Sequence, residues 1–283
     1  MITTVNYFRE YKTPQGHIYS LDMLRLNIDF GTNTDRMVKY MQSLADSDLR
    51  YQIDYYPSYK PYKYRHLWAV KILDDDTSFS MGLDLGRNAE DKHNGFIEFN
   101  PNKCHNNKAF NEFWDDYRSF TVTRSLVRYD MAIDIPIRRG LVKLIKDGKK
   151  IYQLIEKDDG ITEYQGNRSH EGYVKVYDKT KESDLDYDCT RIEITLCKNT
   201  DITKAFPKIH MMNEQMTFKL MEELNSSEKV LVSLLQTCEE PMFYFKQLGY
   251  RLKKKIEPYL ADKVLSLDNK AFYEIRTIAL SYE

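Results

Sequence analysis

Between about residue 20 and residue 200 the chain keeps returning to a period of two, apolar then polar. Side chains alternate across a strand, so such runs describe a sheet with one face buried and one wet. The runs are "MLRLNIDF" (Met23 to Phe30), "RYQIDYY", "YRHLWAVKI", "SFSMGLDLG", "GFIEFNPNK", "SLVRYDMAIDIP", "KKIYQLIE", "ITEYQG", "YVKVYDKTKE" and "CTRIEITL". Asn100-Pro101-Asn102 and Pro136 act as stops. Helical spacing enters between them. "TDRMVKYMQSLADSD" aligns Met37, Tyr40, Met41 and Leu44, and "NKAFNEFWDDYRSF" aligns Phe110, Phe113, Trp114 and Tyr117. "RRGLVKLIKDG" reads as a short helix ended by Gly148. From about Asp201 the pattern is helical: "KIHMMNEQMTFKLMEELN", "SSEKVLVSLLQTCEE" with Ser226 or Ser227 as N-cap, "PMFYFKQLGYRLKKKIEPYLADKV" and "NKAFYEIRTIALSY". "LRLNIDF" echoes "VRYDMAIDI" and "FIEFNPNK" echoes "RIEITLCKN", which suggests an internal duplication. The expected fold is α+β: an antiparallel sheet domain over residues 1–200 and a helical region over 201–283.

Composition sets limits on function. Net charge is −1, so any basic surface must come from local segregation. Twenty-two tyrosines supply rings that suit wet binding surfaces as well as cores. The four cysteines form no CxxC pair and no zinc spacing, and read as reduced thiols. The opening residues lack signal-peptide character and no apolar run spans a membrane, so a cytoplasmic protein is expected.

Sorting each strand by face exposes a chemical pattern. In "VRYDMAIDI" Val127, Tyr129, Met131 and Ile133 share one face, and Arg128, Asp130, Ala132 and Asp134 share the other. "TRIEITL" buries Ile192, Ile194 and Leu196 and turns out Arg191, Glu193 and Thr195. "GFIEFN" leaves Glu98 pointing away from Ile97 and Phe99. In "YVKVYDKTKE" the outward set is Tyr173, Lys175, Tyr177 and Lys179. An ordinary solvated face is the plain reading, yet carboxylates are depleted in strands. Clustered carboxylates call for arginine or a divalent cation among them, and hard oxygen donors suit Mg²⁺ or Mn²⁺. A phenol and an ammonium group beside such a cluster point to phosphoryl chemistry, with lysine or metal stabilising the phenolate.

"FIEFNPNK", "RYDMAIDI", "EYQGNRSHEGYVKVYDKTKE" and "TRIEITL" occur in the order and approximate spacing seen in rolling-circle replication initiators of Gram-positive plasmids. The chain between about Gly95 and Leu196 resembles that family, the transposon-type Rep or replication initiation factor family, which includes related nickases of integrative conjugative elements. The resemblance implies Tyr177 as nicking nucleophile and Arg168 (in "QGNRSH") as an assisting arginine, while Lys179 joins them from its place on the same strand face as Tyr177. It places Asp130, Asp134, Glu193 and Glu98 at a Mg²⁺ or Mn²⁺ site. It also implies cutting of origin DNA to a 5′-phosphotyrosine and a free 3′-hydroxyl primer, action as a homodimer, and recruitment of a superfamily 1 helicase. The long N-terminal extension of some plasmid initiators has no counterpart in the sequence as read. Two alternatives stay open: a conjugative-element relaxase of the same family, and an origin-binding protein that does not cut.

None of the six histidines forms the His-x-His pair of better-known nickases, and no Gly-x-x-x-x-Gly-Lys-Ser/Thr loop is present. "YYPSYKPYKYRHLW" interleaves tyrosines, Tyr62 among them, with cations including Arg65, a composition suited to single strands or to a packed loop. Arg251, Lys253, Lys254 and Lys255 gather on one helical stretch, either a solvated face or a duplex-reading one. Lys175 joins these as a DNA contact.

Overall fold

The alternating runs pair into one antiparallel sheet of eleven strands. The computed structural model describes residues 9–58, 64–74, 77–85, 93–157, 160–168, 170–211, 223–237, 241–260 and 263–283. The strands are β1 (Glu10–Lys12), β2 (Ile18–Asp29), β3 (Tyr51–Tyr55), β4 (Tyr64–Ile72), β5 (Thr77–Leu85), β6 (Gly95–Phe99), β7 (Thr123–Ile135), β9 (Tyr152–Lys157), β10 (Gly160–Gln165), β11 (Val174–Asp178) and β12 (Thr190–Cys197). Their spatial order is β3-β4-β5-β6-β2-β7-β12-β11-β10-β9, with β1 on the start of β2. Read outward from the central β2–β7 pair, the two halves have the same plan. Each long central strand is flanked by the last strand of its own half, then by the earlier ones in reverse. The two sequence echoes fall on matching strands of that plan, β2 with β7 and β6 with β12.

One face of the sheet carries the main core. Leu24, Leu26, Ile97, Phe99, Met131, Ile133, Ile192 and Ile194 are buried there in one cluster with side chains of helices α1 (Thr34–Ser47) and α3 (Lys108–Phe120). The cover is completed by the last helix, α9 (Asn269–Leu280), through Phe272 and Ile275. Full burial of side chains this large contributes about 1.5–3 kcal/mol each. The caps are local: Asn107 accepts from the Phe110 amide and Asp268 from the Ala271 amide. Short helices α2 (Pro101–Cys104), α4 (Lys179–Glu182) and α5 (Ile202–Ala205) close turns. Helices α6 (Ser226–Thr237), α7 (Pro241–Gln247) and α8 (Tyr250–Leu260) gather around a smaller core of Leu224, Val232, Leu235, Phe245 and Ile256. Among the described residues this is an α+β chain with a helical C-terminal region.

Four local expectations need correction. "RRGLVKLIKDG" forms a 3₁₀ turn, Arg139–Leu141, and then β8 (Val142–Leu144) instead of a helix. Val142 and Leu144 are buried while Lys143 is exposed, a period of two, and β8 pairs with β13 (Ile209–Met211). That pairing also overturns the helix expected from Lys208, at least as far as Met211; residues 212–222 lie outside the described ones. β14 (Lys263–Val264) completes this small second sheet. The cap of α6 is Asn225, not Ser226 or Ser227: its side chain accepts from the Glu228 amide while Glu228 accepts from the Asn225 amide. Finally, a bulge in β7 puts Leu126 into the core in place of Val127.

Candidate functional site

The open face of the sheet's second half holds a cleft of about 590 Å³. Its floor comes from β2, β6, β7, β12 and β11 through Asp22, Glu98, Arg128, Asp130, Thr195, Glu193 and Lys175. One wall is Tyr173, Tyr164, Gln153, Ile151 and Ile155, and Arg168 on the β10–β11 loop stands at its rim. The register explains the gathering. Glu193 pairs with Lys175, Lys175 with Tyr164, and Tyr164 with Gln153, so four strands present one row on one face.

At the centre, the Tyr177 hydroxyl donates to Glu193 Oε1 at 2.7 Å. Lys175 Nζ lies 3.6 Å from Glu193 Oε2 and 3.8 Å from the centroid of the Tyr177 ring. Tyr177 is only 6% exposed and reaches the cleft through that carboxylate. Burial and the Glu193 charge push its phenol well above the usual tyrosine range. Burial first, and then the Asp22 carboxylate, push Glu193 up to about 7, against the opposing pull of Lys175. Asp130 is also raised, mainly by burial, and its Oδ1 is buried without a hydrogen-bond partner among the described residues. An arginine framework surrounds these groups. Arg191 grips Asp134 through two bonds of 2.6 and 2.7 Å, with both side chains nearly fully buried, and its third nitrogen lies 3.3 Å from Asp22. Arg25 and Arg128 both reach Glu98 Oε2, at 3.0 and 3.2 Å.

The structure brings Asp130, Glu193, Glu98, Lys175 and Arg168 to one cleft, with Tyr177 one hydrogen bond away. Asp134 does not line it, because both its oxygens face Arg191. Lys179 does not line it either. β11 stops at Asp178, so the alternation ends one residue early, and the Lys179 ammonium lies 2.5 Å from Glu182. As arranged, no group of three or more His, Cys, Asp or Glu side chains among the described residues is placed to hold a metal ion. Of the DNA-contact candidates, Arg65 pairs with Asp84 at 3.2 Å and Lys255 with Glu228 at 2.6 Å. Lys253 donates to the Lys246 carbonyl, while Arg251 and Lys254 are exposed on α8. Tyr62 lies outside the described residues.

Asp22 escaped the sequence reading, as did the wall residue Gln153. Asp22 is the extra residue of a bulge between Leu21 and Met23 in β2, which turns both Asp22 and Met23 toward the cleft. Its signal was present: Leu21-Asp22-Met23-Leu24 breaks the alternation by one residue.

The matching positions of the first half show why the site is single within the described residues. Ser80 pairs with Glu98 as Lys175 pairs with Glu193, so Gly82 stands where Tyr177 stands. The space above Gly82 is filled by the Phe96 and Tyr64 rings, and a Cβ there would lie 2.4 Å from Phe96. Across the neighbouring strand Glu98 faces Arg25, whereas Glu193 faces Ala132 and lacks that countercharge.

No family model and no curated protein matches the chain. Among solved structures, a rolling circle replication initiator protein from Geobacillus stearothermophilus is similar over 87% of this chain and 97% of that one. The identity is 15% and the TM-score 0.37, too low to carry an argument about fold or activity.

Proposed function

We propose that the protein is a replication initiator that nicks one strand of origin DNA through Tyr177. The observation that carries this reading is the triad on two adjacent strands: the Tyr177 hydroxyl on Glu193 at 2.7 Å, with Lys175 above the same ring. Glu193 accepts the phenolic proton as the oxygen attacks phosphorus, and Lys175 offsets the charge on phenolate and phosphate. A Tyr177–phosphate bond forms, the bond to the 3′ oxygen breaks, and the departing oxygen takes up a proton from water. The products are a 5′-phosphotyrosine and a free 3′-hydroxyl. Asp130 Oδ1, buried and without a hydrogen-bond partner among the described residues, and Glu193 Oε2 are the oxygens that would hold Mg²⁺ or Mn²⁺. Magnesium is commonly held by one or two carboxylates together with substrate phosphates, so a site with few protein ligands fits it. A bound cation polarises the phosphodiester and offsets transition-state charge. The motif resemblance adds a homodimer and a superfamily 1 helicase as partners, and leaves conjugative transfer as an equivalent use of the same chemistry.

The small exposure of Tyr177 favours one second reading, an origin-binding protein that does not cut. Incubation with supercoiled DNA carrying the element's own origin, with and without Mn²⁺, separates the two. Protein-linked nicked circles that require the metal support the nickase. Specific binding without any nick supports the binder.

A further inference from the structure

Much of the cleft is not used by the nicking chemistry. Beyond Lys175 it continues for two more strands, and its surface changes from charged to aromatic and apolar. Tyr164 and Tyr173 stack with centroids 6.2 Å apart and planes 23° from parallel. Both are only half-buried, so ring surface stays open to solvent. Gln153, exposed beside Tyr164, offers an amide that both donates and accepts. Ile155 flanks it, and Ile151, just before β9 and 67% exposed, adds bare apolar surface. Arg168 adds a cation at the rim.

We propose that Ile151, Gln153, Ile155, Tyr164 and Tyr173 form a subsite for an unpaired nucleobase of single-stranded DNA, the base adjoining the phosphate held at Lys175. The subsite rests on the nickase reading for its position relative to the phosphate, and on its own surface for its ligand. Adjacent strands lie about 4.8 Å apart, so Lys175 to Gln153 spans about 10 Å. That span suits a phosphate at one end and the far edge of its own base at the other. Rings, an amide and an apolar side wall are what a flat, edge-polar ligand requires. Paired bases do not offer their faces, so the ligand is single-stranded. The cleft volume falls in the range of small-molecule sites, about 300–1,000 Å³.

The test uses the full chain without divalent cation, so that no cleavage is involved. The probes are a fluorescent oligothymidylate of about 12 nucleotides, within the footprint of single-strand binders, and an abasic strand of equal length and charge. The wild-type protein binds the thymidylate at least about tenfold more tightly, the usual contribution of stacking one base. Tyr164→Ser loses this preference without weakening the abasic complex, and Tyr164→Phe keeps it. Ile151→Asp, at a position too exposed to affect folding, lowers thymidylate affinity more than abasic affinity. Equal affinity of the wild-type protein for the two strands overturns the subsite, as does an unchanged preference in both Tyr164→Ser and Ile151→Asp. A base preference in a protein that never nicks keeps the subsite and removes the nickase. Nicking without any base preference does the reverse.

Discussion

Asp134→Ala should cost about 3–5 kcal/mol of folding stability, because it strands a buried guanidinium. Arg191 and Asp134 have side-chain exposures of 5% each and are joined by two short bonds. Without Asp134, the hydrogen-bond partner left to Arg191 among the described residues is Asp22, at 3.3 Å. The loss is a large share of the roughly 5–15 kcal/mol available to a domain. Replacing both partners by apolar residues, Asp134→Leu with Arg191→Met, should cost less than Asp134→Ala alone, since no charge is then left behind. Urea unfolding followed by the fluorescence of buried Trp68 and Trp114 reads the differences. If Asp134→Ala costs less than about 1 kcal/mol with an unchanged urea slope, the ion pair is not what holds this strand pair. If Mn²⁺ raises wild-type stability but not that of Asp134→Ala, Asp134 is a metal ligand and not the support of Arg191.

Two other outcomes follow from the electrostatics. Glu193 binds its proton more tightly when folded, at about 7 against roughly 4.3 unfolded, so its contribution falls as pH rises from about 4 to 7 and is level above that. Urea midpoints should drop over that window by the equivalent of up to about 4 kcal/mol, and Glu193→Gln should flatten the drop; an identical pH profile in the variant removes Glu193 as its source. Neutralising Lys253, Lys254 and Lys255 together should weaken origin binding and reduce the salt slope by about one unit per lost phosphate contact. Binding that is unchanged across several salt concentrations makes α8 an ordinary solvated face.

The period of two made the sheet legible, and paired echoes exposed its two-part plan. The same pattern located Asp130, Glu193, Glu98 and Lys175 on one face, because each lies in a strand whose neighbours are strictly apolar. Periodicity says nothing of pairing, however. The Arg191–Asp134 grip joins β12 to β7, and the Tyr164–Tyr173 stack joins β10 to the residue just before β11; both depend on how the strands pair. Bulges hid Asp22 and misplaced Val127, since one added residue reverses the face of everything beyond it. Lys179 was carried onto the active face by extending alternation past Asp178, where the chain turns into α4. Three-residue β8 was too short to outweigh the helical look of its surroundings.

The most direct test of the account is to identify the residue joined to DNA. After reaction with an oligonucleotide bearing the nick site and Mn²⁺, protease and nuclease digestion followed by mass spectrometry should find a nucleotide on Tyr177. Tyr177→Phe, which removes one hydroxyl and leaves the packed ring, should bind the same DNA and give no adduct. An adduct on Tyr173 or Tyr164, which line the cleft directly, or one that persists in Tyr177→Phe, would contradict the assignment of the nucleophile.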